Sequence, residues 1–386
     1  MIANNTTVTQ SKQKARELFN TLETPILKYG PGMQILLKDL DLNTVISKVN
    51  EEDKMSIKAP KEVKVLQLSE IDFNLEEYFD GLVQAKENRF LALHYAILND
   101  TRIIIIPKNT TVKEPIIITS HCAKKAKAEN IIVIAEESAT ATIIEQSTSA
   151  DDAYWRSQVV QIYAKENAII TFCSLQDLSV NTYNFMIKRG KAHRDASIRW
   201  VDAALGGKFT QLHMKTDLIS PGAKAEKIAF YCGSGSQIFD INTEVLHRAK
   251  RTESNMYSRG VLNDNGRTMY RGTIRIEKNN SQCIAHQKSD NLLIGEKARC
   301  DAVPVLDVEN DEVICSHGAT ISHVDDEKTF YLTSRGLDEA MAQKMTLAGF
   351  LEPVIQEFPL EEQQELLRQK IDEKLTHETE STEQSS

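Results

Sequence analysis

A mostly β fold, with a right-handed parallel β-helix core flanked by N-terminal and C-terminal helical regions, is predicted by three observations. Short β-branched runs crowd the middle of the chain, a small turn motif returns there at a near-constant interval, and the texture turns helical on either side.

The N-terminal region, residues 1–98, reads as mainly helical. Residues 13–21 are amphipathic, and 81–98 carry apolar side chains at helical spacing, with Gly30, Pro31 and Gly32 marking a turn or linker between them. The core is assigned to residues 99–321. Isoleucine-rich and β-branched runs at 103–106, 116–119, 131–134 and 142–144 are strands. Within this stretch Ser138-Ala139, Asn167-Ala168, Asp195-Ala196 and Gly222-Ala223 each precede an alternating run, and the alanines are spaced by 29, 28 and 27 residues. A polar or glycine turn, a small residue and an alternating strand are what a stacked coil needs, because its corner is tight and every second side chain points inward. The interval shifts after Ala223, and an ordinary β-sandwich with similar turns is the competing arrangement. Residues 322–386 form a helical C-terminal domain. Helical spacing covers 337–349 and 360–375, joined through Pro353 and Pro359, and the closing HETESTEQSS has the composition of a disordered tail.

Composition removes several function classes. The net charge of -9 gives no general attraction to nucleic acid or to an anionic membrane surface. The mean hydropathy of -0.35 and the absence of a bilayer-length apolar run argue against a membrane protein. The first residues lack an apolar signal core, so a cytoplasmic location is expected. Six cysteines, at 122, 173, 232, 283, 300 and 315, form no Cys-x-x-Cys pair and are expected to be free thiols in a reducing compartment. Gly206-Gly207-Lys208 is followed by Phe209 and lacks the earlier glycine of a phosphate-cradling loop, and no His-Glu-x-x-His or Gly-x-Ser-x-Gly motif occurs. The acidic pairs Asp151-Asp152 and Asp325-Asp326 read as solvated turns.

The densest chemical signal is Val313-Ile314-Cys315-Ser316-His317-Gly318-Ala319-Thr320. In an extended segment Cys315 and His317 share a face, with α-carbons about 7 Å apart, so both could reach one metal or cluster. Thiolate and neutral imidazole are ligands of iron–sulfur centres, yet a cluster takes four, so others would have to come from a partner. From spacing alone, a buried cysteine beside a histidine with a structural hydrogen bond is the commoner arrangement. His247 and His286 fall in strand-like segments and read as structural, while Gln282, Gln287 and Asn291 read as polar ladders or turn caps.

The run Cys315 to Thr320, then Phe330-Tyr331-Leu332-Thr333-Ser334-Arg335-Gly336 and Ala348-Gly349-Phe350, resembles the signature of the SufB/SufD scaffold family of iron–sulfur cluster assembly. The likeness extends upstream through Gln287, Asn291-Leu292-Leu293, Ala298, Pro304 and Asp311, and more weakly through Phe90 to Leu93 and Glu114-Pro115-Ile116. Ser316 and Gly318 resemble SufD, since SufB carries Glu on both sides of this histidine. Lys28-Tyr29-Gly30 matches the SufD Trp-Lys-Tyr-Thr segment only loosely.

The resemblance implies a non-catalytic scaffold with a β-helix core. It implies pairing with a SufB-like paralogue and docking of a SufC-like ABC ATPase through the C-terminal helices, at Tyr331, Arg335, Gly336, Leu337 and Phe350. ATP hydrolysis then belongs to the ATPase, whose closure moves the scaffold pair. It also makes His317, with Cys315 as its companion, the nascent-cluster site at the partner interface. A transient iron–sulfur cluster is the cargo, with no cofactor held stably by this chain alone. Flavin in the complex and self-pairing of the isolated chain are left open. Two rivals are a SufB-like scaffold that holds a cluster by itself, and a carbohydrate-active β-helix enzyme, which needs an acidic and basic cluster on one solenoid face.

Overall fold

Seven residues that turn the chain through the left-handed region organise the molecule: Asn109, Ser138, Asn167, Asp195, Gly222, Arg251 and Gln282, with φ from 54° to 77°. Asparagine, aspartate and glycine tolerate this conformation best, and most of these corners carry one of them. The N–H of Asn109 donates to the Glu137 carbonyl (2.9 Å), Ser138 to Glu166 (2.8 Å), Asn167 to Arg194 (2.9 Å) and Gln282 to Glu312 (2.7 Å), so these corners are bonded to the corner of the next coil. The residues after six of the corners, Ala139, Ala168, Ala196, Ala223, Thr252 and Cys283, are fully buried, while Thr110 after Asn109 is partly exposed. The repeat therefore continues past Ala223. What ends there is the alanine, replaced by threonine and then cysteine at the same place.

The computed structural model describes residues 2–28, 34–37, 39–47, 49, 54–71, 76–79, 81–123, 125–324 and 326–376. The turn expected at Gly30 to Gly32 and the tail from 377 lie outside them. The N-terminal stretch holds α1 (Ile2–Thr21), the strands β1 (Leu27–Lys28) and β2 (Gln34–Ile35), α2 (Leu42–Ile46), β3 (Ser56–Lys58), β4 (Lys64–Gln67), α3 (Glu76–Phe79) and α4 (Arg89–Ile97). The helix expected over 81–98 is shorter than its apolar pattern suggests: it starts at an N-cap, where Asn88 accepts the Leu91 N–H (3.0 Å).

Sixteen strands follow. They are β5 (Asp100–Ile106), β6 (Ile116–Cys122), β7 (Ala126–Ala135), β8 (Thr140–Ser149), β9 (Trp155–Ala164), β10 (Ile169–Asp177), β11 (Tyr183–Ala192) and β12 (Ser197–Ala204). Then come β13 (Phe209–Leu218), β14 (Lys224–Gly233), β15 (Ile238–His247), β16 (Glu253–Leu262), β17 (Arg267–Ile276), β18 (Cys283–Leu293), β19 (Arg299–Val308) and β20 (Val313–His323). The odd strands pair only with odd ones and the even with even, always in parallel, giving a β-solenoid of about eight turns with two nine-stranded faces. At its start β3 and β4 close the two sheets by antiparallel pairing with β6 and β5.

Between the sheets lies an apolar column that includes Ile143, Phe172, Trp200, Met256 and Tyr270. It is interrupted by buried charge. Arg156 bonds Glu129 (2.7 Å) and Glu145 (3.0 Å), and Lys127 pairs with Glu129 (3.1 Å), all with no exposed side chain. Burial alone would raise the Glu129 carboxyl, but Arg156 and Lys127 hold it below its ordinary range, so it stays ionised. The outer face of the odd sheet is covered by α1 and α4 through Phe19, Phe90, Leu93 and Tyr95.

After β20 come α5 (Asp326–Ser334), α6 (Glu339–Ile355) and α7 (Glu361–Thr376). α6 runs through Pro353 and stops two residues later, so this proline sits in the last turn of a helix where a joint was expected. Leu347, Leu351, Val354, Phe358, Leu367 and Ile371 cover the outer face of the even sheet, against Val201, Phe230 and Cys232. Arg199 fastens this layer, bonding Glu226 of β14 and Glu357 beyond α6.

Candidate functional site

The two ends of the solenoid differ. β3 and β4 cap the first coil, whereas among the described residues β19 pairs only with β17 and β20 only with β18, leaving one backbone edge of each last strand without a sheet partner there. Apolar side chains stand exposed there, Ile314 at 61% and Ile321 at 46%, with Val303 and Val305 on β19.

β20 carries the residues singled out in the sequence. Its register on β18 pairs Ala285 with Cys315, Gln287 with His317 and Ser289 with Ala319. Cys283, Ala285, Gln287, Ser289 and Asn291 are the buried side of β18, so Cys315 and His317 lie on the interior-directed side of β20. Cys315 is half-buried and packs against the core, while His317 is exposed, with no further coil over it among the described residues. Burial raises the Cys315 thiol, helped by the nearby Cys283, which favours the protonated form.

Hydrogen bonds clamp β20 around His317. His286 Nδ1 and Ser316 Oγ are 2.7 Å apart, and Thr320 Oγ1 donates to Asp290 (2.7 Å). Asn291 Nδ2 donates to Ser289 Oγ (3.1 Å) and to the Thr320 carbonyl (3.3 Å), and its Oδ1 accepts from the Tyr231 hydroxyl. Asn291 is thus the polar ladder expected of it, and Gln282 is a corner residue. Gln287 is neither: it is buried, and both polar atoms of its carboxamide lack a hydrogen-bond partner. His247 is buried between Thr252 and Ser254 (2.8 Å each), with its pKa lowered to about 4 by burial. His286 faces a groove of about 510 Å³ whose lining also includes Tyr257, Gln287, Lys288, Ser316, His317 and Glu357.

Among the described residues no three His, Cys, Asp or Glu side chains gather as a metal site. His317 and Cys315 are an incomplete donor set. In the C-terminal hairpin, Phe330 is 74% and Tyr331 57% exposed, beside exposed Met341 and Met345 on α6. Arg335 stacks over the Tyr331 ring (5.3 Å). Gly336 stops α5: at φ 96° its N–H reaches the Thr333 carbonyl (2.9 Å) and Leu337 reaches Leu332 (3.4 Å). Phe350 is turned inward, under the Arg259 guanidinium (4.8 Å). None of the described helices is long and apolar enough to cross a membrane.

These features define a β-solenoid whose ligand-type side chains stand on an open terminal coil beside a helical tail. Residues 117–350 match the family described as the SufBD core domain of the SUF system for FeS cluster assembly, and the chain belongs to this SufBD family. Among curated relatives, it is 29% identical over 289 residues to an iron–sulfur cluster assembly SufBD family protein of Staphylococcus epidermidis, covering 74% of this chain and 62% of that one. A Staphylococcus haemolyticus relative is 29% identical over 290 residues, with the same coverage. A Staphylococcus aureus relative is 28% identical over 298 residues, covering 76% and 64%. The matched region thus spans less than two thirds of the relatives' own length.

Proposed function

We propose that this chain is a SufD-type, non-catalytic scaffold subunit that completes a nascent-cluster site only when a SufB-type paralogue covers its terminal coil. The observation that carries the reading is the open end: unpaired strand edges, exposed Ile314 and Ile321, and His317 with Cys315 on the same strand. Edge pairing supplies affinity along a backbone, and apolar side chains beside it exclude water. Ser316 and Gly318, in place of the acidic neighbours of SufB, favour the SufD type.

In this reading the cluster is cargo. His317 Nε2 or Nδ1 and the Cys315 thiolate supply part of its ligands, and the paralogue supplies the rest. A SufC-type ABC ATPase docks on the α5–α6 hairpin, where Phe330, Tyr331, Met341 and Met345 form an exposed apolar face. Its closure is passed to the solenoid through the α6 and α7 layer and the Arg199–Glu357 pair. Six cysteines with no disulfide among them suit a reducing compartment, so the reading includes a cytoplasmic location.

Co-purification from native cells, with identification of the bound chains, tests the partners. The expected result is a SufB-type chain and an ABC ATPase. Truncation after Thr320 should release the ATPase, and retained ATPase would reject the docking assignment. The isolated chain should hold little cluster on anaerobic reconstitution; a stoichiometric four-iron spectrum would favour the self-sufficient SufB-like scaffold.

A further inference from the structure

We infer that Gln287 is a third ligand residue of the half-site on the terminal coil, supplying a carboxamide oxygen beside His317 and Cys315 for a first-row divalent cation. The inference rests on the reading of that coil as the nascent-cluster site, and adds a residue and a ligand class to it.

Three facts about Gln287 carry it. It is 3% exposed, yet among the described residues neither Oε1 nor Nε2 has a hydrogen-bond partner, although every other polar residue on the inward side of β18 is bonded. A buried amide without partners is costly and uncommon, and calls for a use. Second, the chain makes room for it: a β-carbon at Gly272, across the lumen on β17, would stand 2.1 Å from Gln287 Nε2. Gly272 does not hold a left-handed backbone, so the glycine acts through space: a β-carbon there would displace the Gln287 carboxamide. Third, Gln287 is the register partner of His317 in the adjacent parallel strand. Neighbouring strands run about 4.8 Å apart, and Cys315 lies about 7 Å along β20, all on one side of the sheet.

Imidazole nitrogen, amide oxygen and thiolate sulfur are a mixed donor set suited to borderline first-row ions such as Fe(II) and Co(II), with open positions left for water or a partner's groups. The terminal dihedral of glutamine is broad and soft, so the oxygen can turn toward an ion held at His317 without moving the backbone.

The test is anaerobic Co(II) titration of the full chain, followed by its visible ligand-field and near-ultraviolet sulfur charge-transfer bands, together with thermal unfolding. Wild type should bind Co(II) at submillimolar concentration. Gln287→Met keeps the shape and removes the hard oxygen, and should weaken binding ~10-fold or more while unfolding at the same or a higher temperature. Gln287→Glu should bind within ~3-fold of wild type. Wild-type affinity in Gln287→Met overturns the inference alone, provided His317→Ala has lost binding. Wild-type affinity in His317→Ala, or no binding by the wild type, overturns both this inference and the site reading beneath it.

Discussion

The Tyr231 hydroxyl donates to Asn291 Oδ1 across an intervening strand, and it can do so only because residue 260 is glycine: a β-carbon there would stand 2.0 Å from the Tyr231 ring. One hydrogen bond thus ties β14 to β18 beneath the terminal coil, while the Asn291 amide holds β20 through the Thr320 carbonyl. Asn291→Ala should destabilise the chain by roughly 1–3 kcal/mol, since it strands a buried hydroxyl, and Gly260→Ala by a similar amount through overpacking. Urea unfolding measures both, and unchanged midpoints would show that the link contributes little.

A second prediction concerns acid. His94 is buried between Ser157 Oγ (2.9 Å) and Asn130 Oδ1 (2.7 Å), and burial pushes its pKa down to about 4 despite the opposing pull of Asn130 and Glu129. His247 is held at about 4 by burial. A lowered histidine pKa means the unfolded chain takes up protons first. The stabilisation is therefore complete above about pH 6.5 and is lost as pH falls toward 4, by roughly 3 kcal/mol for each histidine. Urea midpoints should fall steeply between pH 7 and 5, and a flat profile there would contradict the burial of these rings.

Thiol reactivity gives a third. Five of the six cysteines are buried and Cys315 is half-buried. Native chain treated with iodoacetamide should be labelled first at Cys315, slowly at pH 7 and faster as pH rises, because burial raises this thiol's pKa. Mass spectrometry locates the label. Rapid labelling of Cys173 or Cys232 instead would mean that the helical layer over the even sheet opens readily.

The hairpin gives a fourth. Phe330→Ser with Tyr331→Ser should abolish capture of the ABC ATPase while leaving the circular dichroism spectrum and urea midpoint unchanged, because both side chains stand in solvent in this chain. Intact capture would move the docking surface elsewhere.

The solenoid was legible wherever its corners followed one chemistry. Ser138, Asn167, Asp195 and Gly222 are residues that accept a turn, each before an alanine, whereas Arg251 and Gln282 hold the same backbone without such a signal and precede Thr252 and Cys283. α5 was not read, because residues 326–334 mix charged, hydroxyl and aromatic residues without an apolar stripe. α4 buries all but its first residue, so no polar face marked its start. The shared face of Cys315 and His317 followed from strand alternation alone. The difference between Gln287 and Asn291 could not be read, since two amides four residues apart on one strand look alike until their surroundings are known: one bonds Tyr231, Ser289 and Thr320, while the other faces Gly272 and has no side-chain hydrogen-bond partner among the described residues.

The measurement that bears most directly on the open terminal coil is hydrogen–deuterium exchange of residues 313–323, with and without the SufB-type paralogue. The account predicts that the amides of β20 exchange faster than those of β12 in the isolated chain and become protected when the paralogue is added. A stable complex in which β20 exchanges as fast as before would contradict it.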